Sequence, residues 1–508
     1  MSRINTNTSS QIAQRILTGN NKGLDTTLER LSTGLRINRG KDDPAGLIAS
    51  ENLRGEKNAL GSAISNAERT DQIVNIAEGG LQEVSTLLTD LQGLITSTAN
   101  NAGLSQEEKQ ANQLQIDSIL QTIDRIADAT NFQGVKLLNG NFDFTTSSVA
   151  AGVSDFRVNG AKLNTGGTVA VQAIVTASAQ QAALFLSTGG TLNLGGNGGV
   201  FTFEVTGSLG SRELSFASGT TQTQIRDAIN AFSDVTGVSA AIATSGAITN
   251  LRIRSTDFGS DKFVSVKVVN ANTVQGTGVG IYTATANNGN SAATGSGVAF
   301  SSTAALNGIR DLGQDVTATI NGVQATTKGR TARINTDFLD VEVTLNTATA
   351  TALGTVNAFT VTGGGANFQL ASKVDIAGKV ALGIQSVNAR KLGNSDVGFL
   401  NSLAAGKANN VVDGNLTNAQ KVVAEAVRQI SSLRGRLGAF QKNTVGATIR
   451  SLNISLENSS AAESVIRDAD FANETASLTR GQILSQASTN ILSLANSRPQ
   501  NVLSLLRG

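Results

Sequence analysis

The chain has 508 residues, a formal net charge of +2, 15% charged residues, and neither Cys, His nor Trp. Charge this balanced does not suggest nucleic acid or an anionic membrane as a partner. Without Cys there is no disulfide framework and no thiolate nucleophile; without His the commonest general base and zinc ligand are gone, so no catalytic, cofactor or metal site is expected.

Length alone suggests about three domains. Met1 to Thr8 contain no apolar signal-peptide core, so no cleaved leader is expected. No uninterrupted apolar stretch is long enough to span a bilayer. By these rules alone the protein reads as cytosolic.

The first segment carries Leu17, Leu24, Leu28, Leu31 and Leu35 at helical spacing, weakened by Gly19, Gly23 and Gly34. Lys41 to Gly46 breaks it. Asp43 fits an N-cap and Pro44 the first turn of a new helix. A long seam follows: Ile64, Ala67, Val74, Ala77, Leu81, Val84, Leu88, Leu91 and Ile95, with only Asp71 polar in register. It frays near Asn100 to Gly103. Ser105 to Glu108 fits a capping box, opening a shorter helix with Ile116, Ile119, Ile123 and Ile126 as its seam.

From about Asn141 the period becomes two and Thr, Gly, Ala, Asn and Ser dominate. Phe201, Phe203, Val205, then Val264, Val266, Val268, then Val341, Val343, Leu345 read as half-buried antiparallel strands. One helix presents Ile225, Ala228, Ile229 and Phe232. Asn321-Gly322 signals a hairpin. The Gly/Asn-rich stretch Asn270 to Asn290 is the expected boundary between two outer domains, 141–275 and 276–365.

Past Gly365, a short hairpin is expected around Phe368, Leu370, Val380, Leu382 and Ile384. Then comes the strongest signal in the chain: Leu416, Ala419, Val423, Ala426, Ile430, Leu433, Leu437 and Phe440, in unbroken steps of three and four. At ~1.5 Å per residue this seam is roughly 37 Å long. It needs covering helices, and the N-terminal seams supply them. After Phe440 the register slips to Val445, Ile449, Leu452 and Leu456, a stutter. The last helix carries Leu484, Ala487, Ile491 and Leu494. Pro499 is expected to interrupt it, leaving Val502, Leu503, Leu505 and Leu506 as an apolar tail that another subunit would cover.

The fold class is therefore α+β: a terminal α-helical coiled-coil bundle, N- and C-terminal segments paired, with a central β-rich inserted outer region. Gly195 to Gly199 leads into a strand, so a phosphate cradle is disfavoured. Asp468, Asp470 and Glu474 are read as surface carboxylates in preference to a calcium site.

The two ends of the sequence resemble bacterial flagellin. The match runs through Ile4-Asn5-Thr6-Asn7, Glu29 to Asn38, Lys41 to Gly46 and Asn131 to Leu138. It resumes at Asp468 to Ala472, Gln482-Ile483-Leu484 and Pro499 to Leu506. The resemblance implies a filament subunit with 1–43 and 466–508 as the inner-tube coiled coil, 44–140 with 366–465 as the outer-tube bundle, and 141–365 projecting outward. It implies intrachain bundle contacts through Ile64, Val74, Leu81, Leu88, Leu91, Ile95, Ile116, Ile123, Val423, Ile430, Leu433, Leu437 and Phe440. Inner-tube assembly falls to Leu24, Leu28, Leu31, Leu35, Leu484, Ile491, Leu494, Val502 and Leu505.

It also overturns the cytosolic reading. Flagellins leave the cell unfolded through a type III export channel, without cleavage, and polymerise outside it. Implied partners are further copies of the chain, an export chaperone on the C-terminal helices, and the hook-associated and cap proteins. The stretch Leu209 to Ala241 is similar to small β/α modules inserted in some flagellins and hook proteins. Where strong Toll-like receptor agonists of the family carry Gln-Arg-Val-Arg-Glu-Leu, this chain has Thr89-Asp90-Leu91-Gln92-Gly93-Leu94. The rival readings are a hook–filament junction protein and a filament subunit whose outer region also binds glycans. A zinc protease in the insertion fails for want of His.

Overall fold

The computed structural model describes residues 6–100, 103–164, 166–196, 198–245, 248–284 and 293–507. Its principal helices are α1 (Thr8–Thr33), α2 (Pro44–Thr98), α3 (Gln106–Ala129), α4 (Gln222–Asn230), α5 (Leu416–Ala439), α6 (Gly446–Arg467) and α7 (Phe471–Arg507). The chain divides into two compact units. One comprises Met1–Gln72, Phe368–Gly378 and Ala439–Gly508; the other comprises Ile73–Asn367 and Lys379–Gly438. Long terminal helices around a β-rich middle make the fold α+β.

Local chemistry sets the helix ends. Asn7 caps α1, its Oδ1 accepting from Ser10 N–H at 3.1 Å. Gly34 stops α1 in the left-handed region (φ 73°), so it closes the helix where the sequence suggested a weak interior point. Asp43 Oδ1 accepts from Gly46 N–H at 2.9 Å at the start of α2. A Cβ on Gly46 would collide with the Asp43 carboxylate and Ile37, so this turn admits only glycine without rearrangement. Ser105 and Glu108 form the reciprocal capping box of α3.

The stutter after Phe440 is built as a π-helical turn, Phe440–Val445. The apolar step there is five residues, and i→i+5 bonding widens the turn enough to keep Val445 buried. The break expected at Pro499 does not occur: α7 continues through it to Arg507. A helical proline leaves the carbonyl four residues back without its donor. That carbonyl belongs to Ala495, and Asn7 Nδ2 donates to it at 2.9 Å.

In the second unit, α2 from Ile73, α3 and α5 present buried seams. Val74, Leu81, Leu88, Leu91 and Ile95 are buried on α2, and Val423, Ile430, Leu433 and Leu437 on α5. Arg434 Nε to Glu78 at 2.7 Å links α5 to α2; Asn112 to Thr98 at 2.9 Å links α3 to α2. The α3 seam needs correction. Ile116 and Ile123 are buried, but with Gln113, Leu120 and Ala127; Ile119 and Ile126 sit half-buried beside them. Alternating Ile and Leu made either row plausible from sequence. Gln113 decides it: the amide reaches Leu403 O and takes Val411 N–H, both at 2.9 Å.

The outer region forms two β-sandwiches, nested rather than consecutive. The proximal module pairs a five-stranded sheet (Phe144–Ser147, Val169–Ala177, Thr317–Ile320, Val323–Gln324, Gly354–Gly364) with a four-stranded one (Val153–Ala161, Thr326–Lys328, Thr331–Asn335, Leu339–Leu345) over one core. The distal module lies between Gln181 and Leu312. Its two sheets and α4 enclose a separate core around Phe201, Phe203, Ile225, Ile253 and Val266. The division expected at 275/276 is thus replaced: the strand Phe263–Asn270 pairs with Ile309–Leu312, across that boundary. The distal module interrupts the proximal one, and period-two patterning carries no information on which distant strand is the partner. The Asn321-Gly322 turn forms as expected, with φ 50° and 81°.

Candidate assembly surface

α1 and α7 run antiparallel, tied from Ser10 to Arg30 on α1 and from Glu474 to Asn496 on α7. Ser10 Oγ donates to Asn496 Oδ1 at 2.7 Å, Asn20 Nδ2 to Ser488 Oγ at 2.7 Å, and Ser485 Oγ to Asn21 Oδ1 at 2.8 Å. Arg30 pairs with Glu474 at 3.1 Å. Beyond the helix ends the backbones join: Arg36 N–H donates to Arg467 O at 2.7 Å, and Ala469 N–H to Gly34 O at 2.9 Å.

The interface itself is built from small residues. Ala13, Ser488 and Ala495 are its buried members, and Leu24 lies on Gly481, 3.3 Å from where a Cβ would stand. The leucines singled out from sequence flank it. Leu24, Leu31 and Leu35 are half-buried, whereas Leu28, Leu484, Ile491 and Leu494 face outward. The side chains of Val502 and Leu505 lie outside the described residues.

Sequence spacing missed Ile12, Ile16, Phe471 and Ile483, all exposed. Ile483 (65%) and Leu494 (62%) show the scale of this exposure. Ile12 and Ile16 four residues apart were the available signal. On α6, which buries no side chain fully, Ile454 and Val465 are likewise open. This helix is held to the first half of α2 by Lys57–Glu463 at 2.7 Å and Arg467–Glu51 at 3.0 Å.

Of the two remaining seam positions, Ile64 is half-buried and Phe440 buried, its ring 6.1 Å from that of Phe368. Near the C-terminal end of α2, Thr89, Asp90 and Gly93 are exposed and Gln92 and Leu94 half-buried. Leu91 is fully buried and belongs to the bundle core, so it is not part of a strip offered to a partner. Asp90, Gly93 and Leu94 line a groove of about 580 Å³ with Gln115 and Ile119 of α3.

Charged groups serve the joints. Backbone N–H bonds, from Asn473 first and then Ala472, hold the Asp470 carboxyl below its ordinary range at the start of α7. Asp42 is held low in the same way, chiefly by Arg39 N–H. Burial pulls the Arg436 guanidinium down to about 10, its terminal nitrogen donating to Gly383 O at 2.7 Å. The three carboxylates considered for calcium go to separate partners: Asp468 to Ser464, Asp470 to the α7 amides, Glu474 to Arg30. Among the described residues no cluster of three or more metal-ligating side chains occurs, and no helix is long and apolar enough to cross a membrane.

Two chain ends joined into one helical shaft, with apolar rows left uncovered and β-modules inserted between them, define a self-assembling shaft subunit. The bacterial flagellin N-terminal helical region matches residues 4–143, the bacterial flagellin C-terminal helical region 420–506, and the flagellin hook IN motif 191–257. The chain is 31% identical to the B-type flagellin of Pseudomonas aeruginosa and 28% identical to flagellin A of Helicobacter pylori, in each case over 99% of both chains. The chain belongs to the bacterial flagellin family. Among solved structures it is similar to the D2–D3 domains of the flagellar cap protein from Serratia marcescens, at 21% identity, covering 38% of this chain and 93% of that one with a TM-score of 0.25.

Proposed function

We propose that this chain is the structural subunit of a bacterial flagellar filament in which the α1–α7 pair lines the innermost wall. The observation that carries this reading is the exposure of Ile12, Ile16 and Leu28 on α1 and of Ile483, Leu484, Ile491 and Leu494 on α7. A lone pair of helices cannot cover those side chains; neighbouring copies in a head-to-tail helical polymer can.

In this reading residues 1–43 and 466–508 make the inner tube, 44–140 and 366–465 the outer tube, and the two β-modules project from it. Helix formation at the ends is linked to subunit concentration, because their burial is intermolecular. The subunit leaves the cell unfolded and uncleaved, held beforehand by a chaperone on α7, and folds at the filament tip under a cap protein.

Deleting 466–508 is expected to abolish filaments while leaving a monomer with most of its helix by circular dichroism. Hydrogen exchange on the intact chain supplies the second reading: amides of Leu484 to Leu494 should exchange freely in dilute monomer and be protected in filaments. Strong protection in the monomer would remove assembly-linked folding from the account.

A further inference from the structure

The distal β-module is joined to the proximal one by two chain crossings, which meet as an isolated antiparallel bridge between Gln180 and Gln314. Gln180 N–H donates to Gln314 O at 2.8 Å, and Gln314 N–H to Gln180 O at 3.0 Å. A two-strand tether of this kind leaves twisting and bending free. We propose that Asp315 and Phe258 form a latch across this joint, so that the two modules move as one arm.

The distal loop 256–262 returns to the proximal module. Phe258 packs against the proximal core and not its own, with the Arg330 guanidinium 5.8 Å from its ring centroid. Two residues on, Ser260 meets Asp315. Asp315 Oδ2 accepts from the Ser260 hydroxyl at 2.5 Å; Oδ1 accepts from Ser260 N–H at 3.1 Å and from Gly329 N–H at 2.6 Å. Gly329 lies in the turn between two proximal strands, Thr326–Lys328 and Thr331–Asn335. One carboxylate therefore accepts donors from both modules at once, and charge-assisted bonds of this type are stronger than neutral ones.

The backbones come close enough to exclude other residues. Gly313 N–H donates to Lys262 O at 2.8 Å, and a Cβ on Gly313 would overlap the carbonyl oxygens of Gly259 and Gln180. Gly259 itself has φ +128° and faces Asp315 and Gly329. A loop that only closed the distal sandwich would need neither the approach to Gly329 nor an aromatic ring in the neighbouring core.

The test uses the full chain. In Asp315→Asn, amide exchange of both Ser260 and Gly329 should accelerate by about tenfold or more in the folded monomer, since both lose a charged acceptor. Acceleration at Gly329 alone would overturn the latch and leave Asp315 as a turn-former of its own module. In filaments imaged by cryo-electron microscopy, wild-type distal density should be as sharp as proximal density. Ser260→Ala combined with Phe258→Ala should blur the distal module alone. Equal sharpness in this variant, or a blurred distal module in the wild type, would also overturn it. The distal core contains neither residue, and an unchanged distal thermal transition separates unlatching from unfolding.

Discussion

Leu433 lies in the C-terminal half of the α5 seam with 6% of its surface exposed. Leu433→Asp puts an unpaired charge there, and we expect it to destabilise the monomer by about 3–5 kcal/mol, read from urea unfolding at neutral pH. The same chemistry bears on the strip Thr89 to Leu94. With Leu91 inside the bundle, only Leu94 of the apolar positions remains toward solvent, Asp90 places a negative charge where strong agonists of the family carry arginine, and Gly93 weakens the helix by roughly 1 kcal/mol. A charge reversal at a complementary interface costs on the order of 2–5 kcal/mol. We therefore expect weak activation of the flagellin-sensing Toll-like receptor; a reporter response equal to that of a strong agonist at the same dose would defeat this. Single residues were unevenly legible. Leu433 could be read from spacing, because an unbroken run of three-four steps has one buried face. Asn7 could not: its partner, the carbonyl orphaned by Pro499, lies 488 residues away.

At the scale of elements, α7 starts on a carboxylate. Asp470 has a lowered pKa through its bonds to the amides of Asn473 and Ala472. A lowered folded pKa means the contribution is present above the ordinary value of 3.8 and is lost as pH falls through the folded value. Below about pH 3.8 the first turn of α7 should therefore fray, and amide exchange at Ala472 and Asn473 in filaments should rise there first. Asp470→Asn, which keeps an acceptor without the charge, should flatten that pH dependence; an identical profile would separate the acid response from this cap. Helices were the legible elements, since period, caps and the Phe440 slip are all local. The α3 face was not, because Ile119 and Leu120 are equally apolar and only the tertiary partners of Gln113 choose between them. The nesting of the modules was invisible for the same reason: Val169–Ala177 pairs with strands near 320 and 360, and nothing in a strand's own sequence names its neighbour.

For the whole molecule, each β-module has a core of its own. We expect a chain in which Asn141 is joined to Ala366 through a short linker to keep its helical bundle and still form filaments. Sedimentation and electron microscopy decide it; a folded monomer that never polymerises would show that the outer region carries an essential contact. The pairing of α1 with α7 has a further consequence, for the order of events in folding. Ser10 and Asn496 are 486 residues apart, so closing that contact encloses almost the whole chain in one loop. Contacts of this separation form late, after loop-closure entropy has been met by shorter-range pairings. The first residues to emerge from any exit must therefore wait, unpaired, until the last have arrived. A chain delivered end-first cannot complete its shaft before delivery is finished, and arrival of the final segment acts as a clock on assembly.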